Sequence, residues 1–259
     1  NADEFQQMLV GGIFVNAQET EENFKDKINL FQDNAVIPLF VSTDMEGCRN
    51  PFENFKDFSK FSEIGSTEES YLVAKEEGEY LRKLGFNMNF APVVDLEDTI
   101  WQCRSFLGDT TDISNKAKAY IKGMRENHII SIAKHYPGKT LNVADTHTDP
   151  GYATIEKEDL IPFDESIKYG VGGVMVSHMI VDGDANSESK PAMVSEFLTK
   201  SLSNKFTGLI VTDEIGMIAL KEYYTDDTGF TDFNQLFIDL FKANNDMILI
   251  FDDKPKKIY

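Results

Sequence analysis

Seven short runs of aliphatic, β-branched and aromatic residues alternate with amphipathic stretches, and no other feature of the sequence restricts the fold as strongly. The runs span 9–15, 37–42, 88–95, 129–135, 173–177, 209–212 and 247–251. Each is short, apolar on both faces and bounded by polar or glycine-containing segments, the pattern of strands buried between an interior and a helical layer. Between them, 20–34 sets Phe24, Ile28 and Phe31 on one helical face. The stretch 67–84 opens on Ser66 and Thr67 with an acidic first turn and stops at Gly85, a complete pair of helix signals. Helices are likewise expected over 111–127, 157–169, 195–205 and 232–243.

Strand–helix alternation implies a parallel sheet with right-handed crossovers. The expected fold class is therefore α/β, a (β/α)₈ TIM barrel. A chain of 259 residues has the size of one such barrel, so 1–259 is read as a single domain. Seven runs are one short of eight, and the expectation is a barrel lacking its first strand and last helix in this chain. The polar stretches 182–190 and 226–229 read as loops, not linkers.

The net charge of −19 argues against nucleic acid and anionic membrane surfaces, whose binding needs Lys and Arg to replace counterions. No apolar run reaches the ~18 residues needed to span a bilayer. Cys48 and Cys103 lie far apart with no second Cys or His at ligand spacing, which argues against both a disulfide framework and a zinc site. No metal-binding, dinucleotide-binding or phosphate-loop motif is present, so neither metal nor cofactor is expected. The chain starts at Asn1 without a signal peptide; a cytoplasmic setting is the expectation, with an exported form left open, as is the oligomeric state.

The functional signal lies in where polar residues fall. Asn16, Asp44 with Glu46, Asp95, Lys134 with His135, His178, and Asp213 with Glu214 follow or close successive strand runs. In α/β barrels that C-terminal rim carries the chemistry. A single acidic residue there is more often a helix cap; six sets on one rim favour a pocket. Asp213 and Glu214 adjoin, so in strand conformation one of the two faces the centre, and Asp213 is the choice. In the polar loop 139–150, Asp145 precedes His147 by two residues, a spacing that lets a carboxylate orient an imidazole, although from spacing alone an exposed turn is the better reading.

The segment Lys134-His135-Tyr136-Pro137-Gly138, followed by Asp145-Thr146-His147, resembles the K-H-F-P-G-x₆-D-S-H signature of glycoside hydrolase family 3, in its bacterial β-N-acetylglucosaminidase branch. Further blocks are similar: Val10-Gly11-Gly12-Ile13-Phe14, Asp44-Met45-Glu46-Gly47 (D-Q-E-G), the N-F-A-P-V-x-D of residues 89–95, Cys103-Arg104-Ser105-Phe106 (N-R-S-F), Ser177-His178, and the strand entering Asp213. The resemblance implies Asp213 as nucleophile, and His147 oriented by Asp145 as acid and base. It implies Asp44, Arg104, Lys134, His135 and His178 as the groups holding an N-acetylglucosamine-containing carbohydrate, in a retaining exo-hydrolysis of peptidoglycan fragments or chitooligosaccharides.

The chain departs from the pattern in places. The family's P-G-H-G-D-T reads Pro137-Gly138-Lys139-Thr140-Leu141-Asn142; in E-G-G-R-V-Q-R, Cys48 replaces the second glycine, Arg49 persists, and the second arginine becomes Phe52. These changes motivate two alternatives. One is a glycoside phosphorylase, with Lys139 helping to bind phosphate beside a histidine that would not repel it. The other is an inactive carbohydrate-binding barrel.

Overall fold

The computed structural model describes residues 10–143 and 151–251. Its strands are β1 (Gly12–Phe14), β2 (Phe40–Thr43), β3 (Met88–Asn89), β4 (Ile130–Tyr136), β5 (Tyr152–Ile155), β6 (Gly173–Val176), β7 (Ile180–Gly183), β8 (Leu209–Glu214) and β9 (Met247–Leu249). Seven of them form one parallel sheet in the order β1-β2-β3-β4-β6-β8-β9. All seven overlap the expected runs, and the sheet curls as a TIM barrel does. The helices are α1 (Glu21–Gln32), α2 (Thr67–Leu84), α3 (Thr110–Glu126), α4 (Thr140–Val143), α5 (Lys157–Lys168), α6 (Glu196–Ser203), α7 (Ile218–Tyr223) and α8 (Phe233–Lys242).

Two apolar layers follow from the alternation of side chains along each strand. Met88, Phe90, Ile132, Met175 and Val211 are buried in one cluster, and Phe14, Phe40, Leu209, Met247 and Leu249 pack against it. Every strand of the large sheet contributes, which makes this the barrel interior. The opposite faces, carrying Ile13, Val41, Ala133, Val174, Val176 and Ile210, join the larger core beneath the helices. The interior phase is decisive for what comes later. Counting on by twos, Phe40 leads to Asp44, Ile132 to Lys134, Val211 to Asp213 and Leu249 to Phe251.

The helices are fixed by the signals that mark them in sequence. The Ser66 side chain accepts from the Glu69 N–H at the start of α2, and Gly85 ends it with φ 102°. Gly123 of α3 faces Ala74 of α2; a Cβ there would stand 2.7 Å from that of Ala74, so the glycine permits the close crossing. Behind β3, the buried Glu77 of α2 meets the Tyr120 hydroxyl of α3 at 2.5 Å. Burial pushes the Glu77 carboxyl up to about 8, against the lowering effect of Tyr120, so it is carried neutral at pH 7.

The structure adds to the sequence reading or departs from it in several places. Ile180–Gly183, placed partly in a loop, is strand β7 and pairs in parallel with β5 as a separate two-stranded sheet. Its polar Asp182 and Gly183 hide the pattern. Cys48 and Cys103 form a disulfide, contrary to the sequence reading. The turn after β2 and the loop after β3 meet across the rim, bringing the two Cα atoms to 5.5 Å despite a separation of 55 residues. Spacing along the chain carries no trace of that proximity. Finally, Phe52 does not enter a binding site. It is wholly buried against Phe24 (ring centroids 4.9 Å), Tyr80 (5.0 Å) and Phe86 (6.1 Å).

No helix among the described residues is long and apolar enough to cross a membrane. Because Phe52 anchors an aromatic cluster, Phe52→Ala is expected to lower the unfolding free energy by about 3–5 kcal/mol, measured by urea denaturation. An effect below ~1 kcal/mol would mean that the cluster is not as tightly packed as described.

Candidate active site

The strand ends of the barrel open into one pocket. Asp44 and Arg49 from the turn after β2, Trp101 and Arg104 from the loop after β3, and Lys134 and His135 of β4 line one side. Asp213 and Glu214 of β8, with Met217, Leu249 and Phe251, line the other. Thr140 and Leu141 of α4 close the wall between them, over Met175 of β6.

A chain of alternating charges organises the first side. Lys134 Nζ lies 2.7 Å from Asp44 Oδ1 and 2.9 Å from Glu46 Oε2; Arg104 Nη2 lies 2.7 Å from Glu46 Oε1. Glu46 is completely buried. Burial alone would raise its pKa, but Arg104 and Lys134 overcome that and hold the carboxyl at about 2. Met45, between the two acids, is gripped by the Asn89 carboxamide: Oδ1 accepts its N–H and Nδ2 donates to its carbonyl, both at 2.9 Å. Asn89 in turn donates to the Tyr120 hydroxyl, 3.1 Å away, so the neutral Glu77–Tyr120 pair backs the turn.

The imidazole of His135 is oriented from behind. Asp95 Oδ2 accepts from His135 N–H (3.1 Å) and from Nδ1 (3.0 Å), while Oδ1 accepts from Thr140 N–H (2.9 Å). A carboxylate only accepts, so Nδ1 carries hydrogen. Nε2 then presents its lone pair toward Arg104 Nη2 at 3.4 Å, a donor that cannot accept. The loop bearing Arg104 is itself shaped by Asp98, whose carboxylate accepts from the N–H groups of Trp101, Cys103 and Arg104 at 2.7–3.0 Å.

Opposite this array stands Asp213. Burial would raise its pKa, yet His178 and the N–H of Glu214 (2.8 Å) hold it well below the usual carboxylate range. His178 Nε2 donates to the Glu214 carbonyl at 2.7 Å. Its Nδ1, 3.5 Å from Asp213 Oδ2, has no other partner among the described residues. Nε2 is committed to a carbonyl, so Nδ1 is the ring nitrogen left to face Asp213.

The sequence-derived residues Asp44, Arg104, Lys134, His135 and Asp213 are thus brought to one pocket. His178 sits behind Asp213 instead of on the wall, and Asp95 sits behind His135. Asn16 is exposed and lies apart. Asp145 and His147 fall outside the described residues. Glu214 borders the pocket alongside Asp213, contrary to strict alternation, because the β8–β9 register shifts between Val211 and Glu214. The Glu214 Oε1 atom is occupied by the N–H groups of Gly216 (2.7 Å) and Phe251 (3.2 Å). Lys139 donates to the Thr154 carbonyl at 2.8 Å and pairs with Asp159 at 3.3 Å, so it is already engaged. No group of three or more His, Cys, Asp or Glu among the described residues is placed to hold a metal.

Sequence reasoning passed over Trp101, Asp98 and Thr140. The single tryptophan, two residues before the Cys103-Arg104 block, was an available signal. Thr140 and Asp98 act through backbone geometry and leave none. Arg49, noted only as a persisting residue, stacks over the Trp101 ring at 5.2 Å from its centroid.

Glu46→Gln is expected to cost about 3–5 kcal/mol at pH 7, since it leaves two buried cations without their shared anion. The sign with pH follows from the depressed pKa. The wild-type advantage is full above the ordinary value of 4.5 and is lost as pH falls toward about 2. Paired denaturation curves from pH 7 to pH 2 measure it; a constant difference over that range would remove Glu46 as its source.

Comparison with known proteins agrees with this geometry. The model of the glycosyl hydrolase family 3 N-terminal domain matches residues 1–255. A beta-hexosaminidase of Haemophilus influenzae is 31% identical over 231 residues, covering 81% of this chain and 65% of that protein. Beta-hexosaminidase LpqI of Mycobacterium tuberculosis is 28% identical over 240 residues, covering 83% and 61%. The chain therefore spans less than two thirds of the length of these curated relatives. Among solved structures, a family 3 beta-N-acetylglucosaminidase from a Paenibacillus species superposes with a TM-score of 0.86 at 25% identity, over 96% of this chain and 50% of that one. NagZ of Neisseria gonorrhoeae gives 0.81 at 23% identity, over 96% and 77%, and shows the shared fold. Together with the barrel and its rim, the match over nearly the whole length means that this chain belongs to glycosyl hydrolase family 3, to its N-terminal domain.

Proposed function

We propose that this barrel is the catalytic domain of a retaining exo-β-N-acetylglucosaminidase acting on peptidoglycan fragments or chitooligosaccharides. One observation carries the reading: Asp213 is a carboxylate held ionised on one side of a pocket whose other side presents Lys134, Arg104 and the imidazole of His135. The names of the relatives, beta-hexosaminidases, supply the substrate class.

In this reading a terminal sugar is held through its hydroxyls by Asp44, Arg104, Lys134 and His135. Asp213 attacks the anomeric carbon as His147, oriented by Asp145, protonates the departing oxygen. A glycosyl–Asp213 ester forms, and the aglycone leaves as an alcohol. His147, now a base, takes a proton from water, which displaces Asp213 with a second inversion, so configuration is retained. His178 acts on Asp213, not on the sugar: its Nδ1 stabilises the carboxylate as attacking group and as leaving group. The engagement of Lys139 with Asp159 and Thr154 weighs against phosphate as the acceptor. The disulfide supports an oxidising compartment for the working protein, a different setting from the cytoplasmic expectation.

The first test is release of p-nitrophenol from its β-N-acetylglucosaminide. Asp213→Ala is expected to lower kcat/KM by roughly 10³-fold or more. A folded wild-type chain without turnover would overturn the hydrolase reading. The pH profile tests the acid/base role. With Asp213 ionised throughout the working range, the alkaline limb of kcat/KM belongs to His147, which must be protonated in the free enzyme. Rate therefore falls as pH rises above that pKa, and His147→Ala abolishes the limb. An unchanged limb in the variant would remove His147 from the role.

A further inference from the structure

The disulfide joins the two loops that carry most of one pocket wall. The turn after β2 bears Asp44, Glu46, Cys48 and Arg49, closed on itself by reciprocal backbone hydrogen bonds between Glu46 and Arg49 at 3.0 and 3.2 Å. The loop after β3 bears Trp101, Cys103 and Arg104. Cys48 thus immediately precedes Arg49, and Cys103 immediately precedes Arg104. The residues that touch across the same gap are Arg49 with Trp101, and Glu46 with Arg104. The loops also abut at Gly47, with φ 61°, where an added Cβ would stand 2.9 Å from the Phe61 nitrogen and 3.3 Å from Arg104 Cα. A covalent bond therefore spans a junction that also holds the buried Glu46–Arg104 ion pair, the Arg49–Trp101 stack and, further from the pocket, the stacked rings of Phe61 and Phe106 at 4.6 Å.

We propose that the Cys48–Cys103 disulfide is a redox-sensitive clamp that positions the sugar-binding wall, so that the oxidised chain binds substrate tightly and the reduced chain weakly. The functional half of this rests on the hydrolase reading above. Reduction breaks the Sγ–Sγ bond: a dithiol supplies two electrons and two protons, becomes a cyclic disulfide, and leaves thiols at Cys48 and Cys103. The barrel strands and the Asp213 side of the pocket do not depend on the bond. Its loss loosens Arg49 against Trp101 while the Glu46–Arg104 pair still joins the two loops, and it costs binding through lost preorganisation, leaving the chemical step in place. Both cysteines act as positioning residues.

Trp101 is the only tryptophan in the chain and lies in this wall, so its fluorescence reports the clamp without turnover. The protein is compared before and after dithiothreitol, with alkylation and mass spectrometry establishing that both thiols are free. Three quantities are read: Trp101 emission and acrylamide quenching, the fluorescence-derived Kd for N-acetylglucosamine, and KM and kcat on the p-nitrophenyl glycoside. Reduction is expected to shift emission to the red and increase quenching. Kd and KM should rise about fivefold to tenfold, with kcat within about twofold, and all should return on reoxidation. The paired variant Cys48→Gly with Cys103→Asn should show the reduced values and no response to the dithiol; Cys48→Ser with Cys103→Ser provides a second background if the first folds poorly. Unchanged Trp101 quenching and unchanged Kd in verified reduced protein would overturn the clamp, as would an equal response in the cysteine-free variants. A Trp101 response to reduction in a chain that neither binds nor turns over the sugar would keep the clamp and overturn the hydrolase reading.

Discussion

A carboxylate with no access to water, Glu46, is the interaction on which the pocket depends. Moving such a charge out of solvent costs several kcal/mol, and only close cations return it. Here Arg104 and Lys134 do so at 2.7 and 2.9 Å. Those two cations arrive from different strand ends, so satisfying one buried anion fixes the turn after β2, the loop after β3 and the end of β4 relative to one another. Asp44 continues the series by pairing with Lys134, and His135 continues it by facing Arg104. The polar wall is therefore one connected electrostatic object. Its parts reach their places because each buried charge has nowhere else to be neutralised.

The support behind that wall is of a different kind. Glu77, neutral at pH 7, and Tyr120 lie in the helical layer and reach the Met45 peptide through Asn89. An uncharged acid is suited to this position, because a second buried anion near Glu46 would compete for the same cations. The barrel thus holds its acidic turn by charge from the front and by neutral hydrogen bonds from the back.

Much of this was legible in the sequence because strand periodicity carries through to the chemistry. Val211 and Asp213, or Ile132 and Lys134, share a phase, so the residue that fills the barrel and the residue that faces the pocket are two positions apart on one strand. The runs of apolar residues consequently located both the strands and the rim. Reading failed where position depends on partners remote in the chain. Cys48 and Cys103 look isolated until two loops meet. Phe52 looks like a bare departure from the family's pattern until α1 and α2 surround it with Phe24 and Tyr80. Asp98 and Thr140 contribute through backbone N–H groups, which no residue identity announces. Glu214 joined the pocket border because a register shift broke the alternation that the sequence argument relied on.

The β1 and β9 ends of the sheet meet through side chains: Phe14 and Phe251 touch with ring centroids 4.5 Å apart. Phe251 is also a pocket residue, and its N–H holds Glu214. The contact joins residues near opposite ends of the described chain, and such a closure must repay the entropy of a very long loop before it returns any energy. Neighbouring strands can pair as soon as each crossover is made, whereas this junction has to wait for all of them. A growing polypeptide would accordingly own most of its barrel before it owned a complete pocket, so a partly assembled chain would be structured yet unable to handle substrate.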